Sequence, residues 1–232
     1  MTDTHHKANP LASAPCLLGQ EDNAAMPAAT SPESLVLLNS LSRVFGLRLT
    51  DDPQNLNNRF LAEVADLFSK SAMDAETVLE KHERPWRQVY LVQHGVLRLF
   101  RESPAGKVAI HHFFTEGDMI WPVFGRSRTA RNTLCLTPVT PCTLWVADFS
   151  TFRSTIRSYS EGRWARFALA LTEELAELST MREFHKQTLP AQDRYDMLVQ
   201  DYPELIRRVP DFLLAAWLGV APATFSRLKH KD

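Results

Sequence analysis

Arg227, Lys229 and Lys231 alternate near the end of the chain, with Thr224 and Ser226 just ahead of them. No acidic residue occurs from Ala221 to Lys231. Cationic groups beside hydroxyls on one short stretch can pair with phosphates and with the hydrogen-bonding edges of bases. Arg227 is the candidate base reader, because a guanidinium can donate two parallel hydrogen bonds to a guanine. Thr224 and Ser226 are candidates for base or phosphate contacts, and Lys229 and Lys231 for phosphate. Such groups read a sequence only if a rigid element carries them outward.

The preceding residues supply that element. The run Asp211 to Lys231 reads DFLLAAWLGVAPATFSRLKHK. Ala215 is small where a larger side chain would push two crossed helices apart. Gly219, four residues on, can take the positive φ that a tight turn between helices requires. Pro222 suits the first turn of a second helix, where its missing N–H leaves no bond unmade. Leu214, Leu218, Val220, Phe225 and Leu228 are apolar where the two helices must touch each other and their support. The spacing predicts a helix-turn-helix whose second helix suits a DNA major groove.

The whole chain has 232 residues and a net charge of −1, with 44% hydrophobic and 23% charged residues. Those values fit an ordinary folded protein and exclude a globally basic nucleic-acid coat, leaving room for a local basic patch. Three cysteines are too few for a disulfide scaffold, which favours a reducing compartment. The first thirty residues lack a basic segment followed by an apolar core, so no secretory signal is read, and no apolar run is long enough for a bilayer. The expected location is cytoplasmic, with no membrane partner.

Taken in order, residues 1–30 read as a mobile tail rich in Ala, Pro, Ser and Thr. His5 and His6 have no neighbouring ligands to complete a metal site. Residues 31–58 are read as a helix with Leu35, Leu38, Leu41 and Phe45 on one face, followed by a polar connector over 51–58. Residues 59–160 are read as a sensor domain: a helix with Phe60, Val64, Leu67 and Phe68, then short segments of strand composition. Gly95, Gly106 and Gly117 recur between these segments, which predicts turns of an antiparallel roll or sandwich. His111 and His112 are adjacent in one segment, so strand alternation should send them to opposite faces.

Residues 161–187 are read as a long helix. Trp164, Ala168, Leu171, Leu175, Leu178, Arg182 and His185 alternate spacings of four and three, a heptad-like seam expected to pair with a second copy of the chain. Residues 188–232 complete the DNA-binding unit. Tyr195, Leu198, Val199, Leu205, Ile206 and Val209 supply the core beneath the helix pair. The fold class is α+β: an antiparallel β-roll with flanking helices, a long dimerisation helix and a C-terminal helix-turn-helix.

Two stretches carry a resemblance. Val89 to Leu99, VYLVQHGVLRL, is similar to a YxVxxGxVRL hairpin. Gln192 to Tyr195 with Asp201 to Leu205, then Leu218-Gly219-Val220 and Phe225-Ser226-Arg227-Leu228, is similar to an ERY…P-L…YLGI…LSRI pattern. Both patterns belong to the cyclic-AMP receptor protein/FNR superfamily of bacterial transcription regulators, which the chain resembles from about Phe60 onward. The resemblance implies a cyclic-nucleotide-binding-like roll, a homodimer on a two-fold-related stretch of double-stranded DNA, and RNA polymerase as a partner.

The chain also departs from that pattern. Family members that bind cyclic AMP use a Gly-Glu pair and an Arg-Ser/Thr pair, whereas Met119 to Leu136 reads MIWPVFGRSRTARNTLCL, without a carboxylate. Arg128 and Thr129 match the phosphate-binding residues literally, while Arg131 and Asn132 stand nearer the expected place. Trp121 would make such an effector pocket more apolar. The expected effector is therefore not cyclic AMP, and no cofactor is assigned, an unknown small-molecule effector remaining open. An iron–sulfur cluster needs four suitable ligands, and Cys135 and Cys142 are read either as a redox pair or as buried and inert. On the recognition helix, Pro222 and Ala223 stand where many members carry an Arg and a Glu.

Two other readings are open. One is a ligand-sensing or protein-interaction module whose helix-turn-helix is vestigial. The other is an enzyme, which the sequence disfavours, having no GxSxG, HExxH or phosphate-cradling glycine loop.

Overall fold

The computed structural model describes residues 32–81, 84–103, 105–122 and 134–230. The expected tail over 1–30 lies outside them.

Helix α1 runs from Pro32 to Phe45, with Glu33 in its first turn and Arg43 in its last, each complementing the helix dipole. Helix α2, Leu56–Ala65, starts inside the stretch expected to be a connector. The Asn55 side chain makes the difference, accepting a hydrogen bond from the Asn57 N–H as N-cap. Strand β1, Ser69–Met73, was not expected either. It is a sheet edge pairing only with β7, Cys142–Asp148, so its polar residues face solvent and leave no apolar signature.

The remaining strands are β2 (Gln88–His94), β3 (Leu97–Glu102), β4 (Val108–Phe114), β5 (Met119–Ile120) and β6 (Leu134–Pro138). Two antiparallel sheets result, ordered β1-β7-β2-β5 and β4-β3-β6. Gly95, Gly106 and Gly117 all have positive φ in the turns, as expected. Gly95 is the most constrained: a Cβ there would stand 2.3 Å from the Cys142 sulfur and 2.9 Å from its Cα.

Strand alternation distributes three cores. Tyr90 and Val92 of β2 point between the sheets, where they meet Leu97, Leu99, Leu136 and Leu144. Val89 and Leu91 point the other way, against α1, α2 and α3, Phe149–Tyr159. With both faces covered, β2 reads as a continuous apolar run. Helix α3 was missed in the sequence; Asp148 caps it by accepting from the Thr151 N–H at 2.8 Å, and its Phe152 and Ile156 are fully buried. The third core lies outside the smaller sheet, where Val96, Phe100, Ile110 and Phe113 meet the C-terminal helices.

Helix α4 spans Glu161–Thr188. Within the chain, the seam meets three different surroundings. Trp164, Ala168 and Leu171 pack into the core shared with α1 to α3, and Leu175 packs beneath the two sheets. Leu178, Arg182 and His185 line a cleft against the C-terminal helices. The periodicity is present, and apart from the buried Trp164 these residues are half-buried. The face left outward carries Ala165, Leu169, Thr172, Ala176 and Thr180, all exposed.

Helices α5 (Ala191–Asp201), α6 (Pro203–Arg208), α7 (Asp211–Leu218) and α8 (Pro222–Lys229) follow. They dock on the roll through the ring of Trp217, edge-on to Phe113 with centroids 5.3 Å apart. No described helix is long and apolar enough to cross a membrane.

Candidate nucleic-acid interface

The helix pair forms as its residue types dictate. Ala215 and Leu214 are wholly buried, Phe225 and Leu218 are buried beside them, and Val220 and Leu228 pack against them. Gly219 ends α7 in the left-handed conformation at φ 73°, and the Val220 N–H turns back to the Ala215 carbonyl at 3.0 Å, closing the helix end. Ala221 then precedes Pro222 in the first turn of α8. Tyr195 of α5 supports α8 from below, its ring edge-on to Phe225 at 5.5 Å.

The outward face of α8 carries Ser226 and Arg227, both exposed, with Thr224 half-buried beside them. Arg227 is held along the helix: its Nε donates to the Ala223 carbonyl at 3.3 Å, and its Nη2 to the Thr224 hydroxyl at 3.2 Å. Thr224 thus orients the arginine as well as standing on the same face. Lys229 is placed differently from a free phosphate ligand. Its ammonium lies 2.9 and 3.0 Å from the two carboxylate oxygens of Asp211, tying the last turn of α8 to the first turn of α7. Lys231 lies outside the described residues.

The interface is fixed to the roll by groups that sequence reading passed over. Arg208, at the end of α6, forks onto Glu116 with contacts of 2.7 and 2.9 Å, and the same carboxylate accepts from the Gly95 N–H at 2.9 Å. The hydrogen bond from Arg208 is the main reason the Glu116 carboxyl is held down at about 2. Lys186 of α4 runs along the turn between α7 and α8, its Cε 3.4 Å from where a Cβ on Gly219 would stand. The partners in these pairs lie far apart in sequence, so no local pattern announces them.

The residues assigned to an effector pocket fare differently. Trp121 is a core residue: its ring is edge-on to Trp164 at 5.5 Å, with Phe149 and Phe167 also against it. Its flat, apolar bulk fits the aromatic cluster under α4 better than an open pocket. Arg128, Thr129, Arg131 and Asn132 lie outside the described residues. Cys135 and Cys142 are both buried in different sheets, Cys135 paired across from Phe100 and Cys142 from Met73. At His111 the ladder between β3 and β4 shifts register. This bulge interrupts the strict alternation expected of the two histidines. Burial lowers His111 to about 4 and His112 to about 3, and the Arg182 charge adds to both shifts.

No family model matches the sequence, and no curated protein matches it. Solved structures do. The c-di-GMP responsive global regulator CLP of Xanthomonas campestris is similar at a TM-score of 0.61 and 14% identity, over 75% of this chain and 90% of that one. FixK2 from Bradyrhizobium japonicum is similar at 0.59 and 16%, over 71% and 83%. A Eubacterium rectale protein described as a transcriptional regulator of the crp/fnr family is similar at 0.58 and 15%, over 75% and 82%. On these matches the chain has the fold of the Crp/Fnr regulators.

Proposed function

We propose that this chain is a DNA-binding transcription regulator that engages a two-fold-related promoter site as a homodimer. The observation that carries the reading is the α7–α8 pair. Its buried face is complete, and its outward face holds Arg227 braced by Thr224 beside the exposed Ser226. In two copies, the α8 helices would enter successive major grooves about 34 Å apart.

The outward face of α4 supports the homodimer. Ala165, Leu169, Thr172, Ala176 and Thr180 follow spacings of four, three, four and four, and Leu169 is 57% exposed. Small side chains there allow a second α4 to approach closely. Cyclic AMP is not the proposed effector, since Met119 to Leu136 offers no carboxylate for a ribose hydroxyl. A second reading, a protein-interaction module with a vestigial helix-turn-helix, draws support from the engagement of Lys229 by Asp211.

Selection of DNA from a random pool at fixed, near-physiological salt tests the reading, because phosphate contacts change affinity by orders of magnitude with salt. An enriched inverted repeat that loses one preferred base with Arg227→Ala is the expected result. Binding without enrichment or salt-independent preference favours the second reading.

A further inference from the structure

A cleft opens where β4, the C-terminal half of α4, α5 and α7 converge. Its walls are apolar, with Leu178 and Met181 on α4, Met197 and Leu198 on α5, and Trp217 on α7. Arg182, Lys186 and Arg194 also line it, against Asp201 as the one carboxylate. Three cations facing one carboxylate in an apolar cleft leave positive charge uncompensated, a costly arrangement without an anion.

The three cations are not equivalent. The Arg194 Nη1 is committed, donating to the carbonyls of Lys186 and Leu189 at 3.2 and 3.0 Å, and so closing the end of α4. Arg182 lies over the Trp217 ring, 5.8 Å from its centroid, and has no carboxylate partner among the described residues. Lys186 likewise has none, and its stem passes the Gly219 turn. Burial lowers the pKa of both, and the positive charges of Arg182 and Arg194 add to the shift at Lys186. A bound anion would reverse that penalty.

We infer that this cleft binds a small organic carboxylate with an apolar body. The carboxylate would sit between Arg182 and Lys186, and the body would lie on Met181, Met197 and Leu198. Charge selects an anion, since Arg182 and Lys186 have no carboxylate partner among the described residues. The lining selects against a bare inorganic ion, because hydrocarbon walls cannot hydrate it. The ligand would touch α4 and α5, beside Trp217 of α7 and the lysine stem that passes the Gly219 turn. Its occupancy would therefore bear on the placement of the Gly219 turn, a consequence that rests on the DNA-binding reading, whereas the binding itself does not.

Calorimetric titration of the full chain without DNA tests this, with octanoate and phenylacetate as probes and octanol and inorganic phosphate as controls. At least one of the two acids should bind, with octanol and phosphate each about tenfold weaker or more. Lys186→Gln should weaken the acid about tenfold without lowering the unliganded melting temperature. Arg182→Gln should do the same, and because that change also disturbs Trp217, the lysine variant decides. Equal binding of octanol would reduce the cleft to an apolar crevice, and equal binding of phosphate to a bare anion site. Either result overturns the proposal, as does binding of neither acid or an unaffected Lys186→Gln. Failure here leaves the selected operator standing, and failure of DNA selection leaves this titration standing.

Discussion

The two ends of α4 meet the rest of the chain in opposite ways. Near its start, Trp164 and Phe167 are buried in an aromatic cluster with Trp121, Phe152 and Phe45. Near its end, Leu178, Met181, Arg182 and Lys186 stand only half-buried along the cleft. One helix is thus core at one end and the wall of a cavity at the other. Stability should concentrate at the first end and adaptability at the second, because a local opening breaks few apolar contacts there.

The largest expected effect tests the solid end. Phe167→Ala removes a ring packed against four others and should cost about 3–5 kcal/mol, read as a fall in melting temperature. Leu178→Ala, on the same helix, should cost no more than about 1 kcal/mol, because its side chain is already partly in water. Equal costs would erase the contrast. Between these lies Ala215→Leu in the helix pair: with no exposed surface at Ala215, the added methylenes should crowd α7 and cost about 1–3 kcal/mol. An unchanged melting temperature would show that α7 can shift on the roll.

The smallest effects are in pH and have opposite signs in the two regions. Within the roll, the Tyr90 hydroxyl donates to Glu80 at 2.8 Å, and burial pushes the Glu80 carboxyl up from 4.5 to about 7 despite that bond. Its contribution is therefore fully present below pH 4.5 and is lost as pH rises through about 7. At the junction, the bond from Arg208 holds Glu116 down at about 2 from its ordinary 4.5, so its contribution is present above pH 4.5 and lost as pH falls towards 2. Melting curves of Glu80→Gln should flatten the neutral side of the stability profile, and those of Glu116→Gln the acid side. A Glu80→Gln profile identical to that of the parent would contradict the buried carboxyl.

Much of the architecture was legible in the sequence where one residue type answers one backbone need. Gly95 and Gly219 announce turns because other side chains resist their φ, and Gly95 also has Cys142 against it. The α4 seam was legible as a face but not as a contact: periodicity shows that something meets Leu171 and Leu175, but not that the roll of the same chain half-buries both. The polar edge strand Ser69–Met73 left no pattern because only Met73 of its side chains packs against a core. At the candidate interface, the exposure of Arg227 followed from helical spacing. The capture of Lys229 by Asp211 did not, since it joins residues eighteen apart across the turn.

That last pair has a consequence in the language of electrolytes. A free lysine that meets a phosphate expels condensed counterions from DNA, and each phosphate neutralised steepens the fall of log affinity with log salt by about 0.9. Lys229 comes to DNA with its charge already matched by a carboxylate of its own chain, so passing it to a phosphate strands Asp211 beside the polyanion. The salt slope of the proposed complex should then count Arg227 but not Lys229. Asp211→Asn should steepen it by about one phosphate's share, making this one ion pair a regulator of how strongly ionic strength governs binding.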